Sequence, residues 1–344
     1  MTQNKNQNVI IVGGGPAGMS CALWLKNYGL NPIIVERGDI LGGLQSLSPA
    51  SNTWLLGWQA TLGKDVGAQF AKHIGYERVQ VLLRSHLSRA TKMENGNWSV
   101  VIARQSDGAE TRQEIEITAS AIVIACGTRF AGKDWIDSVD GARNLAGKIH
   151  IGPPSFLNPQ AWFGPAPVVV GGGDNALECA YTLSRRGCRP TLVMRSEVSR
   201  ASDKSMIEKV EAQVAAGNII RRVKTSITQI EDMWINIDDN RSSKRLCVTI
   251  EVDADKEKSK KSIVGDSILL MLGYEVNTNS VQSALVNVRP AKLQSGHLVV
   301  NGDCETDVPG LYAIGDVANP THPCVATAVA MGTMAARAIN TSLA

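Results

Sequence analysis

Two stretches of the chain repeat one pattern of apolar and polar positions: an unbroken apolar run, a glycine cluster, a segment at helical spacing, and a second apolar run. Val9-Ile10-Ile11-Val12 leads into Gly13-Gly14-Gly15-Pro16-Ala17-Gly18, and Pro167-Val168-Val169-Val170 leads into Gly171-Gly172-Gly173-Asp174-Asn175-Ala176. Short apolar runs without alternation, bounded by glycine, read as strands of a parallel sheet buried on both faces. The first pattern predicts a helix from Ala17 to about Asn27 with Gly29 as its stop, then a strand at Pro32-Ile33-Ile34-Val35. The second predicts a helix from about Asn175 to near Gly187, then a strand at Pro190-Thr191-Leu192-Val193-Met194.

Between the two lies a different periodicity. Residues 79–83, 87–92, 98–103 and 114–118 alternate or carry β-formers, with Glu94-Asn95-Gly96-Asn97 and Ser106-Asp107-Gly108 as turns. The apolar run Ala121-Ile122-Val123-Ile124-Ala125 then returns as a buried strand ending at Cys126-Gly127-Thr128. The second half repeats the succession, with strands around 226–237 and 246–252 and a buried run at 267–272 ending on Gly273. The last segment adds an apolar strand, Leu311-Tyr312-Ala313-Ile314, closing on Gly315-Asp316, and an alanine-rich helix from Val325 to about Asn340. These elements predict an α/β chain of two Rossmann-like dinucleotide-binding domains, each with a three-layer ββα core and a β-meander. The expected boundaries are 1–145 plus 283–344 for the first domain, discontinuous in sequence, and 146–282 for the second.

The glycine clusters carry the chemistry. Gly13 permits a sharp turn, Gly15 removes a side chain where backbone approaches a pyrophosphate, and Gly18 lets the helix pack close to the strand. The helix N-terminus offers unpaired N–H groups and a positive dipole end to phosphate. Glu36 closes the following strand, where a carboxylate accepts hydrogen bonds from a ribose diol. In the second copy Gly171, Gly173 and Ala176 fill the small-residue positions, but Met194 stands where the acid would be, with Arg195 beside it and Arg200 beyond. Arginine there suits a 2′-phosphate and so NADP(H) over NAD(H); the competing reading is a solvated surface arginine, and Glu197 opposes the phosphate.

Composition narrows the class further. The 344 residues are 44% hydrophobic and 19% charged, with a net charge of +3, too mild a balance to imply nucleic acid. The polar first eight residues and the lack of long apolar runs predict a cytoplasmic protein without a membrane span. Seven cysteines, irregularly spaced, fit reduced thiols, and neither they nor the five histidines show metal-site spacing.

Taken together, GGGPAG with Glu36, Leu41-Gly42-Gly43-Leu44, Ala125-Cys126-Gly127, GGGDNA, Gly273-Tyr274-Glu275-Val276-Asn277-Thr278 and Leu311 to Asp316 resemble the low-molecular-weight thioredoxin reductase family of flavoproteins over nearly the whole chain. The resemblance implies FAD in the first domain and a nicotinamide nucleotide in the second. It places FAD contacts at Gly13, Gly15, Pro16, Ala17, Gly18, Glu36, Arg37, Gly43, Leu44, Gln45, Trp54, Leu87, Cys126, Gly127, Gly315, Asp316 and Val325. It places NADP contacts at Gly171, Gly173, Asp174, Asn175, Ala176, Arg195, Arg200 and Gly273. It implies that Asp316 bonds the ribityl or diphosphate region, that the Val325 N–H faces the flavin, and that the protein is a homodimer.

Departures from the family bear on the acceptor. The redox-active Cys-x-x-Cys falls on Pro154-Ser155-Phe156-Leu157, and no Cys-x-x-Cys exists elsewhere in the sequence. Disulfide exchange needs one sulfur to attack and one to resolve. The expectation is therefore an FAD-dependent NAD(P)H oxidoreductase passing hydride from NADPH to the flavin and on to a non-thioredoxin acceptor, as in the thioredoxin-reductase-type ferredoxin/flavodoxin-NADP reductases. Alternatives are a flavin-binding sensor or docking module with little turnover, and an atypical disulfide reductase using other cysteines. Cys324, just before the last helix, reads either as a thiol near the flavin or as a small packing residue. Trp54 reads as a flavin neighbour or a core aromatic. The basic loop Lys256-Glu257-Lys258-Ser259-Lys260-Lys261 reads as a docking point for a small acidic electron-transfer protein or as a solvated hairpin tip.

Overall fold

The computed structural model describes residues 7–48, 51–52, 55–105, 112–238, 241–254 and 257–344. The chain divides into two compact units, Met1–Arg129 with Val276–Ala344, and Phe130–Glu275.

In the first unit Asn8–Val12 lies at the centre of a five-stranded parallel sheet. It is flanked by Asn31–Val35 and then Gln80–Leu82 on one side, and by Ala121–Ile124 and then Leu311–Ala313 on the other. The apolar runs supply both faces by the two-residue alternation of a strand. Val9, Ile11, Ile34 and Val123 pack against the helices Pro16–Asn27, Gly63–Tyr76 and Val325–Ser342. Ile10, Val12, Ile33, Ile122 and Ile124 pack against an antiparallel meander of Ser85–Lys92, Trp98–Gln105 and Arg112–Ala119. Gln80–Leu82, grouped in sequence with the meander strands, belongs to the parallel sheet. Helices Pro16–Asn27 and Val325–Ser342 approach closely because small residues meet: a Cβ on Gly332 would stand 2.5 Å from the Ala17 carbonyl oxygen.

The second unit repeats the plan. Val168–Val170 pairs with Thr191–Val193 and Ile268–Leu270, with Ile220–Arg222 and Ile149–Ile151 at the two edges. Val169, Leu192, Met194 and Leu269 face the helices Asp174–Arg185 and Lys204–Ala215, while Val168, Val170, Val193 and Ile268 face the meander Thr225–Asp238, Arg241–Ala254 and Glu257–Gly265. Both fingerprint helices end before a glycine of positive φ, Gly29 at 85° and Gly187 at 86°.

Two expectations change. The units meet along the chain at 129/130 and 275/276 rather than at 145/146 and 282/283. The reason is packing: Val139 and Ala142 are buried among Ile227 and Ile230 of the second unit, and Val281 and Ala284 of the helix Thr278–Ala284 are buried in the first. Of the basic run, Lys256 lies outside the described residues, while Glu257–Gly265 is the outer strand of the meander and exposes Lys260 and Lys261 along an edge that no described strand pairs with. Lysine on such an edge opposes pairing with another chain. Leu87, expected at the cofactor, is buried among the apolar residues between sheet and meander because its strand turns that position inward.

Candidate functional site

Each sheet carries a glycine turn at the carboxyl end of its central strand, and the two turns are built alike. At Gly13, φ is 115° and a Cβ would lie 2.3 Å from the Ala125 carbonyl oxygen; at Gly171, φ is 143° and a Cβ would lie 2.2 Å from that of Met271. In both units the turn is thus pressed against the next strand of the sheet, and only glycine fits. A Cβ on Gly18 would lie 2.1 Å from the Gly13 oxygen, while the matching Ala176 fits with its Cβ 3.1 Å from the position of a Gly171 Cβ. Gly15 and Gly173 are different: no atom lies within 4 Å of a Cβ built on either, and their φ values of −76° and −99° suit any residue. The protein itself does not require glycine there. Open space before a helix N-terminus is what a pyrophosphate requires, and neither helix has a side-chain cap on its first N–H groups.

Around the first turn the structure gathers most of the predicted residues. The Glu36 carboxylate accepts the N–H of Gly14 at 2.7 Å and of Gly38 at 2.7 Å. The Gly42 N–H donates to the Gly14 oxygen at 2.8 Å, which brings the Leu41 to Gln45 loop onto the fingerprint. A Cβ on Gly43 would be 3.3 Å from the Gly15 Cα, and the Gln45 amide donates to the Gly63 oxygen at 3.0 Å. Leu44 is half-buried beside them. Pro16 occupies the first helical turn, where its missing N–H costs nothing, and Ala17 is buried beneath it. From the other end of the chain, a Cβ on Gly315 would stand 2.8 Å from the Ala17 Cβ and 3.7 Å from that of Ala328. Gly315 and Asp316 therefore sit where the helices beginning at Pro16 and Val325 converge.

Asp316 is only half-exposed, and burial raises its carboxyl above the ordinary value; the nearby His297 and a hydrogen bond with Thr128 act the other way. Neither partner had a sequence signal, because both arrive from distant turns: the Leu298 N–H donates to the Val317 oxygen at 3.0 Å and carries His297 into place. Cys126 donates its thiol to the Asn277 oxygen at 3.3 Å, and Asn277 returns its amide to the Cys126 oxygen at 2.9 Å. Burial pushes the Cys126 thiol up to about 12, so it is an anchor for the Gly127 turn and not a thiolate. Arg37 is exposed and reaches the Ser280 hydroxyl at 3.3 Å. Cys324 caps the last helix in a reciprocal arrangement with Thr327, whose hydroxyl accepts the Cys324 N–H at 3.3 Å. Trp54 lies outside the described residues.

Around the second turn the loop after Thr191–Val193 folds back onto the glycines. The Gly172 oxygen accepts the Arg200 N–H at 2.7 Å and the Ser199 hydroxyl at 2.8 Å. Asp174 accepts the Ser202 N–H at 2.8 Å, the Ser202 hydroxyl at 2.9 Å and the Asp203 N–H at 3.0 Å. Burial would raise this carboxyl, but those hydrogen bonds outweigh it and hold Asp174 below the usual range. Asp174 thus shapes the loop, and Asn175 stands half-buried beside it. Arg195 and Arg200 are exposed, and their guanidinium groups pair with no described residue. Glu197, the carboxylate that threatened a phosphate site, pairs with Lys224 at 3.1 Å. Gly273, with φ 85°, accepts the Ala131 N–H at 2.9 Å. The segment Pro153–Leu157 is a short helix with Phe156 buried in the second unit's core.

The family model for pyridine nucleotide-disulphide oxidoreductases matches residues 7–332. The chain belongs to this family. Among curated relatives, the ferredoxin–NADP reductase of Metallosphaera sedula is 25% identical over 317 residues, covering 90% of this chain and 84% of the relative. Glucosaminate ammonia-lyase of Pseudomonas fluorescens is 26% identical over 344 residues, covering 98% and 95%. The crystal structure of T. acidophilum thioredoxin reductase superposes with a TM-score of 0.73 at 21% identity, covering 99% of both chains, which establishes a common fold. Membership of the pyridine nucleotide-disulphide oxidoreductases agrees with the two open cradles, which fit two dinucleotides. No helix among the described residues is long and apolar enough to cross a membrane, and no described group of His, Cys, Asp and Glu forms a metal site.

Proposed function

We propose that the first unit holds FAD and the second NADPH, and that the protein passes electrons from NADPH through the flavin to an acceptor other than thioredoxin, a ferredoxin or flavodoxin before a small molecule. The observation that carries this reading is the contrast at the two strand ends: the Glu36 carboxylate, oriented by two backbone N–H groups, at one, and the unpaired Arg195 and Arg200 at the other. A carboxylate accepts from a ribose diol, whereas guanidinium groups bind a 2′-phosphate. Bound FAD supplies hydride acceptance and release of electrons singly or in pairs.

The residues of this chain bind and orient. Gly15 and Gly173 leave room for the pyrophosphates, the two helix N-termini offer their N–H groups, and Asp316 stands ready to accept from a flavin ribityl hydroxyl. The side chains at Pro153–Leu157 hold no sulfur, which supports an acceptor that takes electrons without a protein disulfide. A cytoplasmic homodimer belongs to the same reading, and relatives named ferredoxin–NADP reductase favour a protein partner.

The test is anaerobic stopped-flow mixing of the FAD-loaded protein with NADPH, followed by oxidation with ferredoxin, flavodoxin, quinones and disulfides. The reading expects bleaching of the flavin band within seconds and reoxidation by a one-electron carrier. No bleaching sinks the oxidoreductase assignment; reoxidation by a thioredoxin-like disulfide alone sinks the acceptor assignment.

A further inference from the structure

Arg222 has no part in the motifs that mark the second nucleotide site, yet the sheet register delivers it there. It ends the edge strand Ile220–Arg222, paired in parallel with Thr191–Val193 so that Leu192 matches Arg221 and Val193 matches Arg222. Beyond the ladder the Met194 N–H donates to the Arg222 oxygen at 2.8 Å, and the Thr225 N–H donates to the Met194 oxygen at 2.9 Å. The segment from Arg222 to Thr225 therefore wraps the end of the strand that leads into Arg195. Alternation separates the two neighbouring arginines. Arg221 shares the helix-side face of Leu192 and pairs with Glu211 of the helix Lys204–Ala215. Arg222 shares the opposite face, that of Val193, and Arg195 follows Met194 in the bend just beyond the same strand end.

Arg222 is exposed, and no described residue accepts from its guanidinium. Three arginines whose guanidinium groups pair with no described residue thus stand about one strand end, where Glu197 is engaged by Lys224 at 3.1 Å and Asp174 by Ser202 and Asp203, with Asp253 alongside through its N–H to the Lys224 oxygen. Exposed arginines grouped about one strand end raise the local positive potential and attract an anion.

We infer that Arg222 is a third ligand of the nucleotide 2′-phosphate, acting with Arg195 and Arg200, and so a determinant of NADPH over NADH. The inference rests on the NADPH reading of the second unit. It adds a contact that no spacing motif encodes, because it is supplied across the sheet and not along the loop. Guanidinium forks can each present two N–H groups to separate phosphate oxygens, so the loss of one leaves binding weakened but present.

The test is calorimetric titration of the FAD-loaded full chain and its variants with NADP+, NAD+, 2′,5′-ADP and 5′-AMP, which needs no turnover. Arg222→Gln should weaken NADP+ and 2′,5′-ADP by about fivefold to tenfold and change NAD+ and 5′-AMP by less than about twofold. Arg222→Lys, which keeps the charge, should fall between, and the wild-type preference should narrow as salt rises. Equal weakening of all four ligands, or no change in any, overturns the role of Arg222. If wild-type protein does not distinguish NADP+ from NAD+ and Arg195→Gln is silent, the NADPH reading falls with it. If Arg195→Gln abolishes the preference while Arg222→Gln leaves it intact, only the inference about Arg222 is overturned. Unchanged melting temperature and flavin spectrum in Arg222→Lys exclude a folding cause.

Discussion

The Gly14 N–H donates to the Glu36 carboxylate at 2.7 Å, so the glycine turn and the end of the second strand are one hydrogen-bonded unit. With Gly38 donating to the other oxygen, the carboxylate is held in one orientation before any ribose arrives. Glu36→Gln converts one of those acceptor oxygens to a donor amide facing an N–H group. It should lower FAD affinity by tenfold or more, on the order of 1.4 kcal/mol, read as flavin lost during gel filtration and recovered at high FAD.

The two kinds of fingerprint glycine should separate in mutagenesis. Gly18→Ala sets a methyl group 2.1 Å from the Gly13 oxygen and should destabilise the first unit by about 3 kcal/mol, lowering its melting temperature by roughly 5–10 °C. Gly15→Ala meets no protein atom, so the apo protein should melt near the wild-type temperature while FAD binds more weakly. A Gly15→Ala variant that unfolds, or that binds FAD as well as wild type, contradicts the cradle.

Asp316 sets stability against binding. Its carboxyl is raised by burial, so the folded chain binds this proton more readily than the unfolded one and carries a penalty for the charged form at neutral pH. Asp316→Asn removes that charge. The apo variant should therefore melt above wild type at pH 7, and the difference should shrink as pH falls through the raised folded value and vanish below the ordinary carboxylate range. FAD affinity should drop in the same variant. A melting difference that does not depend on pH would locate the effect elsewhere.

Asp174 runs in the opposite direction. Its folded value is depressed, so the stabilisation is present above the unfolded value and is lost as pH falls through the folded one. Asp174→Asn should loosen the 199–203 loop at neutral pH, seen as faster amide exchange at Ser202 and Asp203, and should converge with wild type under acid conditions.

The buried thiols should be inert. Burial raises Cys21, Cys126 and Cys179, and raises Cys304 to about 11 with Asp303 adding to it. Iodoacetamide at pH 8 should leave these four unmodified until denaturant is added, as mass spectrometry of the digested protein can read. Cys324→Ser should leave NADPH-driven bleaching of the flavin unchanged.

What could be read from sequence alone follows from the range of the interaction concerned. Gly13, Gly18 and Gly171 were legible because local sterics leave no other residue, and Glu36 because it ends a strand whose length the apolar run defines. That the Leu87 side chain turns inward was not legible, because its face depends on a strand pairing with Ile102. The run ending in Lys260 and Lys261 resembles a loop in composition, yet Glu251 and Ile250 of the adjoining strand pair with it. His297 and Thr128 reach Asp316 from segments far apart in the chain, and no pattern in either announces the other. Arg222 belongs to the same class, since cross-strand register is invisible until the edge strand is placed.

The contact of Gly13 with Ala125, and of Gly171 with Met271, also bears on biosynthesis. The second cradle needs only Phe130–Glu275, one uninterrupted stretch that holds all five strands of its sheet. The first needs the strand Leu311–Ala313 and the helix Val325–Ser342 before its layers close. On a ribosome, where domains fold as they emerge, the nucleotide-binding half encoded second is complete while the half encoded first still exposes apolar strand surface. The unit that the chain begins first is the one it closes last, since its layers are complete only once Val325–Ser342 has emerged.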